Sequence, residues 1–412
     1  SVARGYLQGH KYIQPSSTSQ MIEQIVRIVV IIVGSFFIIN ILHKSVSLGV
    51  AVAVAGAFVG GLAAILYIAR KIFTHKKELS LDEKLIKDKV SNKEILKKIC
   101  SYAIPFVIIN LTVNIYNTVD MSLIIRTLSS IGYSGADAEF VAGVITTWGY
   151  KLNMIVTAVA TGLTVSLIPN IVSAYTLKKY NKVNKIFNKA LQIILFISIP
   201  AAFGLSFLAY PVWNVFYGID AYGPTVFKLS IITAVFCNFY LITIQTAQSV
   251  NKYKIVYIAV ITGFLTNALL DVPLMLLCNK IGLPPYYGAS FATMLGYTIA
   301  IVIVLVALKK IKGMKYGETW KMLFKTIGAL VVMLVVLSLL KLILPFHTST
   351  KMLSIIDIVI YAVVGALVYL FLMYKMGIIK DLFGQKVINK VLKIITFGKY
   401  KVKECENDTE ED

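Results

Sequence analysis

Carboxylates, cysteines and histidines are all scarce in this chain. Of 412 residues only 20 are Asp or Glu, against 41 Lys and Arg, and there are four Cys and four His. Cys100, Cys237, Cys278 and Cys405 have no spacing that fits a zinc site, a haem attachment or a redox pair, and the histidines add none. A Walker loop, a Gly-rich nucleotide fingerprint and a nucleophile elbow are also missing. Phosphoryl transfer, zinc hydrolysis and thiol or serine catalysis have nothing to build on, so the chain reads as a non-enzyme with no organic cofactor.

What the chain has instead is apolar length. Hydrophobic residues make up 58% of it and charged residues 15%. Apolar runs of about 20 residues, enough to cross a bilayer, recur along the sequence. They fall near 20–41, 46–69, 100–127, 141–174, 189–217, 224–249, 253–278, 287–309, 321–344 and 354–375. Runs such as Val50 to Ile68 carry no charge, and a backbone in hydrocarbon must bond to itself, so each span is expected to be a helix. The fold class is all-α and polytopic, and any transport must draw on an ion gradient, the membrane potential or the substrate.

A net charge of +21 in a soluble protein would point to nucleic acid. Its distribution excludes that partner. Of the 41 basic residues, 33 lie before the first span or in the segments 70–98, 178–189, 252–254 and 309–325 and after the last span. The intervening loops hold Lys44, Lys280, Lys341 and Lys351. This is the positive-inside pattern, which places the C-terminus on the cytoplasmic side of a cell membrane.

Ser1 to Gln20 reads as a loop already under way. Its Tyr6-Leu-Gln-Gly-His-Lys-Tyr-Ile13 is similar to Thr246-Ala-Gln-Ser-Val-Asn-Lys-Tyr-Lys-Ile255, and each stretch precedes two long spans. Four spans precede the second copy and none the first, so a two-lobed transporter missing about four N-terminal helices is expected.

The stretch Arg4-Gly-Tyr-Leu-Gln-Gly9, Pro15, and Ser19-Gln20 with Glu23, Gln24 and Arg27 resembles the loop and fifth helix of MurJ-type lipid II flippases and their sporulation and polysaccharide relatives. These belong to the multidrug/oligosaccharidyl-lipid/polysaccharide exporter superfamily. Ser198-Ile-Pro-Ala-Ala-Phe-Gly-Leu, continuing to Pro211, is similar to that family's ninth helix. The resemblance implies the remnant of a two-lobed, 14-helix fold. Residues 1–70 would be the rest of an N-lobe (helices 5 and 6), 71–97 a basic cytoplasmic linker, and 98–310 a C-lobe (helices 7 to 12). Residues 311–376 would be two extra helices, and 377–412 a basic amphipathic tail with an acidic end. The implied activity is alternating-access movement of an undecaprenyl-pyrophosphate-linked sugar to the outer leaflet. The implied partners are that lipid-linked oligosaccharide, membrane lipids and cell-wall synthesis enzymes.

Polar residues inside the spans mark a pathway. Asn110, Asn114, Asn117 and Asp120 share one face of the third span; Thr146, Tyr150, Asn153, Thr157, Thr161 and Thr164 share one face of the fourth, with Lys151 beside them. Such stripes line a cavity or join helices by hydrogen bonds. A charge near the bilayer centre costs about 2.5–3.5 kcal/mol, so Lys151 is expected to face protein or water. By the resemblance Lys151 stands where a cavity Arg is usual; it keeps the charge for a pyrophosphate and gives up bidentate geometry. The substrate-binding set is Lys151, Arg27, Asn114, Asn117, Tyr150 and Asn153. For Arg27 an ion pair with Glu23, one turn earlier, is the competing expectation.

Asn267 and Asp271 are four residues apart, hence on one helical face. With Asp120 and Thr293 they offer oxygen ligands to a hard cation. The resemblance implies a sodium site at Asp120, Asn267, Asp271 and Thr293, with the carbonyl of Ala289; a proton site and a structural role stay open. Gly56-x-x-x-Gly60 fits close helix packing. Pro105, Pro169, Pro200 and Pro273 are expected to kink spans. Apolar stripes over 81–99 and 387–395 read as interfacial helices. A cation-coupled drug antiporter of the same fold and a non-transporting scaffold are the alternative functions.

Overall fold

The computed structural model describes residues 4, 7, 13–74, 91, 93–94, 96, 100, 115, 117–311, 314–347 and 350–384. The expectations for Asn110, Asn114, Pro105, most of 81–99 and the tail stripe at 387–395 lie outside these residues. Among the described residues all regular structure is helical, and nine helices are long and apolar enough to cross a membrane. The chain is a multi-pass membrane protein. It divides into two compact units, Ser1–Lys98 and Ile99–Asp412.

In the first unit, α1 (Ile13–Val29) continues through π turns at Val30–Gly34 and Phe37–Ile41, and α2 (Val46–Thr74) returns along it. Residues 13–20, expected as loop, are the first turns of α1. Pro15 sits there without penalty because the first N–H groups of a helix have no partner to lose. Small residues set the α1–α2 approach: a Cβ on Gly60 would lie 2.6 Å from the Glu23 carbonyl oxygen, and one on Gly56 3.3 Å from that of Arg27. Both helices leave large apolar side chains exposed, among them Ile25, Ile32, Val54, Phe58 and Leu66, as lipid-facing helices must.

In the second unit a helix over 117–130, α3, is followed by α4 (Gly135–Thr176), α5 (Tyr180–Phe207), α6 (Ala209–Tyr217) and α7 (Gly223–Ser249). Then come α8 (Tyr253–Lys280), α9 (Tyr286–Lys309), α10 (Gly317–Ile343) and α11 (Lys351–Lys375). The span expected at 189–217 is two helices rather than one. Pro211 has no N–H to give the Phe207 carbonyl, and the chain breaks at Leu208. Pro169, Pro200 and Pro273 sit inside continuous helices. Four helix ends are closed by the same wrap, in which the N–H of Tyr133, Lys179, Lys252 and Leu283 reaches the carbonyl five residues back. The residue before each has positive φ: Gly132 and Gly282 at the lysine-poor end, Lys178 and Asn251 at the lysine-rich end.

Two apolar clusters fill this unit. One, towards the lysine-poor end, contains Trp213, Phe227 and Leu128; the other, towards the lysine-rich end, contains Phe187, Ile171 and Val304. A polar layer separates them. Asn153 donates to the Ser230 carbonyl at 3.2 Å, and Asn238 to the Val156 carbonyl at 3.0 Å and Ser198 Oγ at 2.7 Å. These bonds tie α4, α5 and α7 together where apolar packing alone would leave their angular positions free.

Candidate functional site

The polar stripes meet in the second unit. Asn117 and Asp120 on α3, Thr146, Tyr150 and Asn153 on α4 and Thr293 on α9 line one cavity of about 50 Å³. Residues expected for substrate and residues expected for an ion thus share a wall. At about 30 Å³ per water, a space of this size admits a small ion or one or two waters.

Behind the cavity, α8 presents Asn267 and Asp271, both fully buried. Asn267 Nδ2 donates to Asp120 Oδ1 at 2.5 Å, joining residues 147 positions apart. Thr293 Oγ1 donates to the Ala289 carbonyl at 3.0 Å, one turn earlier. Asn267 Oδ1 and both carboxylate oxygens of Asp271 are buried with no hydrogen-bond partner among the described residues. Three orphaned oxygens beside a second carboxylate suit a hard monovalent cation, which takes oxygen ligands. No group of three or more His, Cys, Asp and Glu side chains occurs among the described residues, so a transition-metal set is not present there.

Local structure explains why these groups converge. Gly288 lets α9 meet α8 backbone to backbone: a Cβ there would lie 2.3 Å from the Met275 nitrogen and 2.5 Å from the Leu274 oxygen. That contact brings Thr293 towards Asp271. On α4, a π turn over Val144–Trp148 precedes the cavity residues Tyr150 and Asn153. It draws the Val144 carbonyl so close to Gly149 that a Cβ would stand 2.6 Å from it, and Tyr217 on α6 donates to the Trp148 carbonyl at 3.0 Å.

Lys151 does not line the cavity. It stands on an exposed face of α4 with Met154 and Ile155, next to Tyr150, which is 40% exposed. Arg27, in the first unit, is exposed too. The expected Glu23–Arg27 pair does not form, because Glu23 is taken by Arg4, whose Nε also donates to Ser19 Oγ at 2.8 Å. The Arg4 guanidinium is a fork that reaches two acceptors at once, Glu23 and Ser19. Asn114 is outside the described residues. Sequence reasoning missed Ser230 and Thr233 on α7 and Ser290 and Tyr297 on α9, which complete the cavity wall. Their signal was small: Ser and Thr in apolar helices commonly bond back to their own helix, as Thr233 does to the Ser230 carbonyl.

The comparisons agree with this architecture. The model of a family described as polysaccharide biosynthesis protein matches residues 1–175. Lipid II flippase MurJ of Bacillus subtilis (strain 168) is 28% identical over 398 residues, covering 94% of this chain and 72% of that protein. An uncharacterized membrane protein of the same organism, YabM, is 24% identical over 385 residues, covering 92% of this chain and 70% of the relative. A solved structure of lipid II flippase MurJ in an inward closed conformation superposes with a TM-score of 0.57 at 18% identity, over 92% of this chain and 70% of that one. Over 94% of its length this chain is thus similar in sequence to lipid II flippase MurJ, and it shares the fold of that protein's solved structure.

Proposed function

We propose that this chain moves an undecaprenyl-pyrophosphate-linked sugar precursor, lipid II or a related polysaccharide intermediate, from the inner to the outer leaflet by alternating access. The observation that carries this reading is the 28% identity to a lipid II flippase along nearly the whole chain. The placement of Lys151 supports it. A cation held on an exposed helix face inside an apolar protein has a use only if something anionic and large comes to that face, and a pyrophosphate is both.

The two polar features then divide the work. Lys151 and Tyr150 offer the substrate a charge and a hydroxyl on the open side of α4. Asp120, Asn267, Asp271, Thr293 and the Ala289 carbonyl would hold sodium on the closed side. A bound sodium ion would supply the free energy of its gradient. What the chain itself does is keep oxygens apart from hydrogen-bond donors, with Asn267 fixing Asp120 in place. The protein would lie in the cytoplasmic membrane with its C-terminus cytoplasmic, in contact with membrane lipids and close to the enzymes that make and use the precursor. The helix pair α10–α11, beyond the six-helix lobe, weighs against a drug antiporter.

The test is complementation in cells depleted of their essential lipid II flippase, using wild type, Lys151→Ala and Lys151→Arg at matched expression. Rescue by wild type and Lys151→Arg, with loss of at least about tenfold in flipping for Lys151→Ala, is expected for a charge-assisted contact. Equal rescue by Lys151→Ala would remove Lys151 from the substrate path. Failure of well-expressed wild type would remove lipid II as the substrate.

A further inference from the structure

A second pocket, with polar and apolar walls, lies at the lysine-rich end of the second unit, where α4 and α7 end and α8 begins. It measures about 160 Å³; Ile168 and Val172 form the apolar part of its wall, and Tyr175, Thr176, Gln245, Gln248, Ser249, Asn251 and Tyr253 the polar part. Along α7, Gln245 is twelve residues beyond Thr233, or about 18 Å, so this pocket is separate from the cation cavity. It contains one of the two copies of the repeated Gln-to-Lys-Tyr element in the sequence, here Gln248 to Tyr253, for which the proposed function has no use.

Three observations point to a ligand. Gln245 Oε1 is buried with no hydrogen-bond partner, and Gln248, only 8% exposed, turns a second carboxamide to the same pocket. Buried carboxamides are normally satisfied, so the Gln245 oxygen, beside an open space that Gln248 also lines, is an unmet demand for a donor. The volume equals about five waters at roughly 30 Å³ each and falls well below the 300 Å³ or more of a drug-sized site, which suits one sugar ring. The turns that frame it carry Lys178, Lys179, Lys252 and Lys254, all exposed, and no carboxylate.

We propose that this pocket binds a phosphorylated sugar: the ring against Gln245, Gln248, Asn251 and the tyrosines, the phosphate towards the lysines. Amides and hydroxyls match the donors and acceptors of a sugar ring, tyrosine faces match its C–H surface, and lysines at a rim attract the anion. The sugar phosphate could come from the lipid-linked precursor, held before it reaches Lys151, or from a soluble nucleotide sugar. The first source rests on the flippase reading and the second does not.

The test measures binding to the full chain in nanodiscs, with UDP-N-acetylglucosamine by titration calorimetry and lipid II by native mass spectrometry. Wild type is compared with Gln248→Glu, which is isosteric but repels phosphate, and with Asn251→Asp, which is exposed and tolerates the positive φ of that turn. At least about tenfold weaker binding of either probe in both variants, at unchanged melting temperature, is the expected result. Loss confined to lipid II assigns the lipid headgroup, and loss confined to the nucleotide sugar assigns the soluble source. Unaltered binding in the folded variants, or no binding of either probe to wild type, overturns the proposal. Flipping assays on the same variants and on Lys151→Ala separate the two readings. Loss with Lys151→Ala but not with the pocket variants leaves the flippase reading standing alone.

Discussion

Asp271 is a costly residue to bury. Its side chain is fully buried, and neither oxygen has a hydrogen-bond partner among the described residues. An unpaired buried carboxylate costs several kcal/mol, so the fold keeps it only if something else neutralises it. If that is sodium, sodium binds the folded protein and raises its stability by mass action, by about 2.7 kcal/mol at a hundred times the dissociation constant. Wild type should therefore melt higher in sodium than in an equal concentration of N-methylglucamine. Asp271→Asn, of the same shape but uncharged, should melt at the same temperature in both and no lower than sodium-free wild type. A sodium-dependent shift that survives in Asp271→Asn would place the ion elsewhere. Half of this site was legible in the sequence, since a spacing of four puts Asn267 and Asp271 on one face. Asp120, 147 positions from Asn267, was not within reach of any local pattern, and only the family resemblance joined it to them. Ser230, Thr233, Ser290 and Tyr297 stayed hidden because a short polar side chain in an apolar helix gives the same signal whether it faces a cavity or its own backbone.

At the scale of elements, the α8–α9 pair depends on one glycine. A methyl group on Gly288 would meet the backbone of Leu274 and Met275 at 2.3–2.5 Å, and backbone cannot turn aside as a side chain can. Gly288→Ala should separate the two helices at the level of Asp271 and lower stability by about 1–3 kcal/mol, the usual cost of overpacking. Gly328→Ala on α10 is the matched control, because a Cβ there meets nothing within 4 Å. It should be neutral or stabilising by up to about 1 kcal/mol through helix propensity. Thermal melts of both variants in one detergent check the pair, and equal melting temperatures would mean that the α8–α9 contact is looser than it stands here. The helices themselves were the most legible part of the sequence, because a bilayer makes hydropathy and length almost sufficient. Their interruptions were less so. Pro211 broke its span while Pro169, Pro200 and Pro273 did not, since a proline near a helix start costs little and one inside can be accommodated by neighbouring helices. The π turn of α4 has no sequence signature beyond Gly149, and a lone glycine has many uses.

At the scale of the whole molecule, the second unit sets its lysine-bearing turns and its cavities along one axis. Thr293 is seven residues from the start of α9, about 10 Å from the lysine-poor end, and the Gln245–Gln248 pocket is at the lysine-rich end. A protein that receives an anionic headgroup on one side and releases it on the other gains from this asymmetry, because lysines concentrate the anion only where it is collected. The direction of the axis follows from the 33 basic residues on one set of segments against four on the other. Translocating a lysine-rich loop works against the membrane potential by about 2.3 kcal/mol per charge per 100 mV, so the lysine-rich segments are expected to stay in the cytoplasm. Alkaline phosphatase, active only outside the cytoplasm, should therefore be inactive when fused after Lys375 and active when fused at Gly282. Green fluorescent protein, which fluoresces in the cytoplasm, should give the reverse. Phosphatase activity after Lys375 would invert the axis, placing the lysine-rich pocket on the release side and ending any role for it in collecting the precursor.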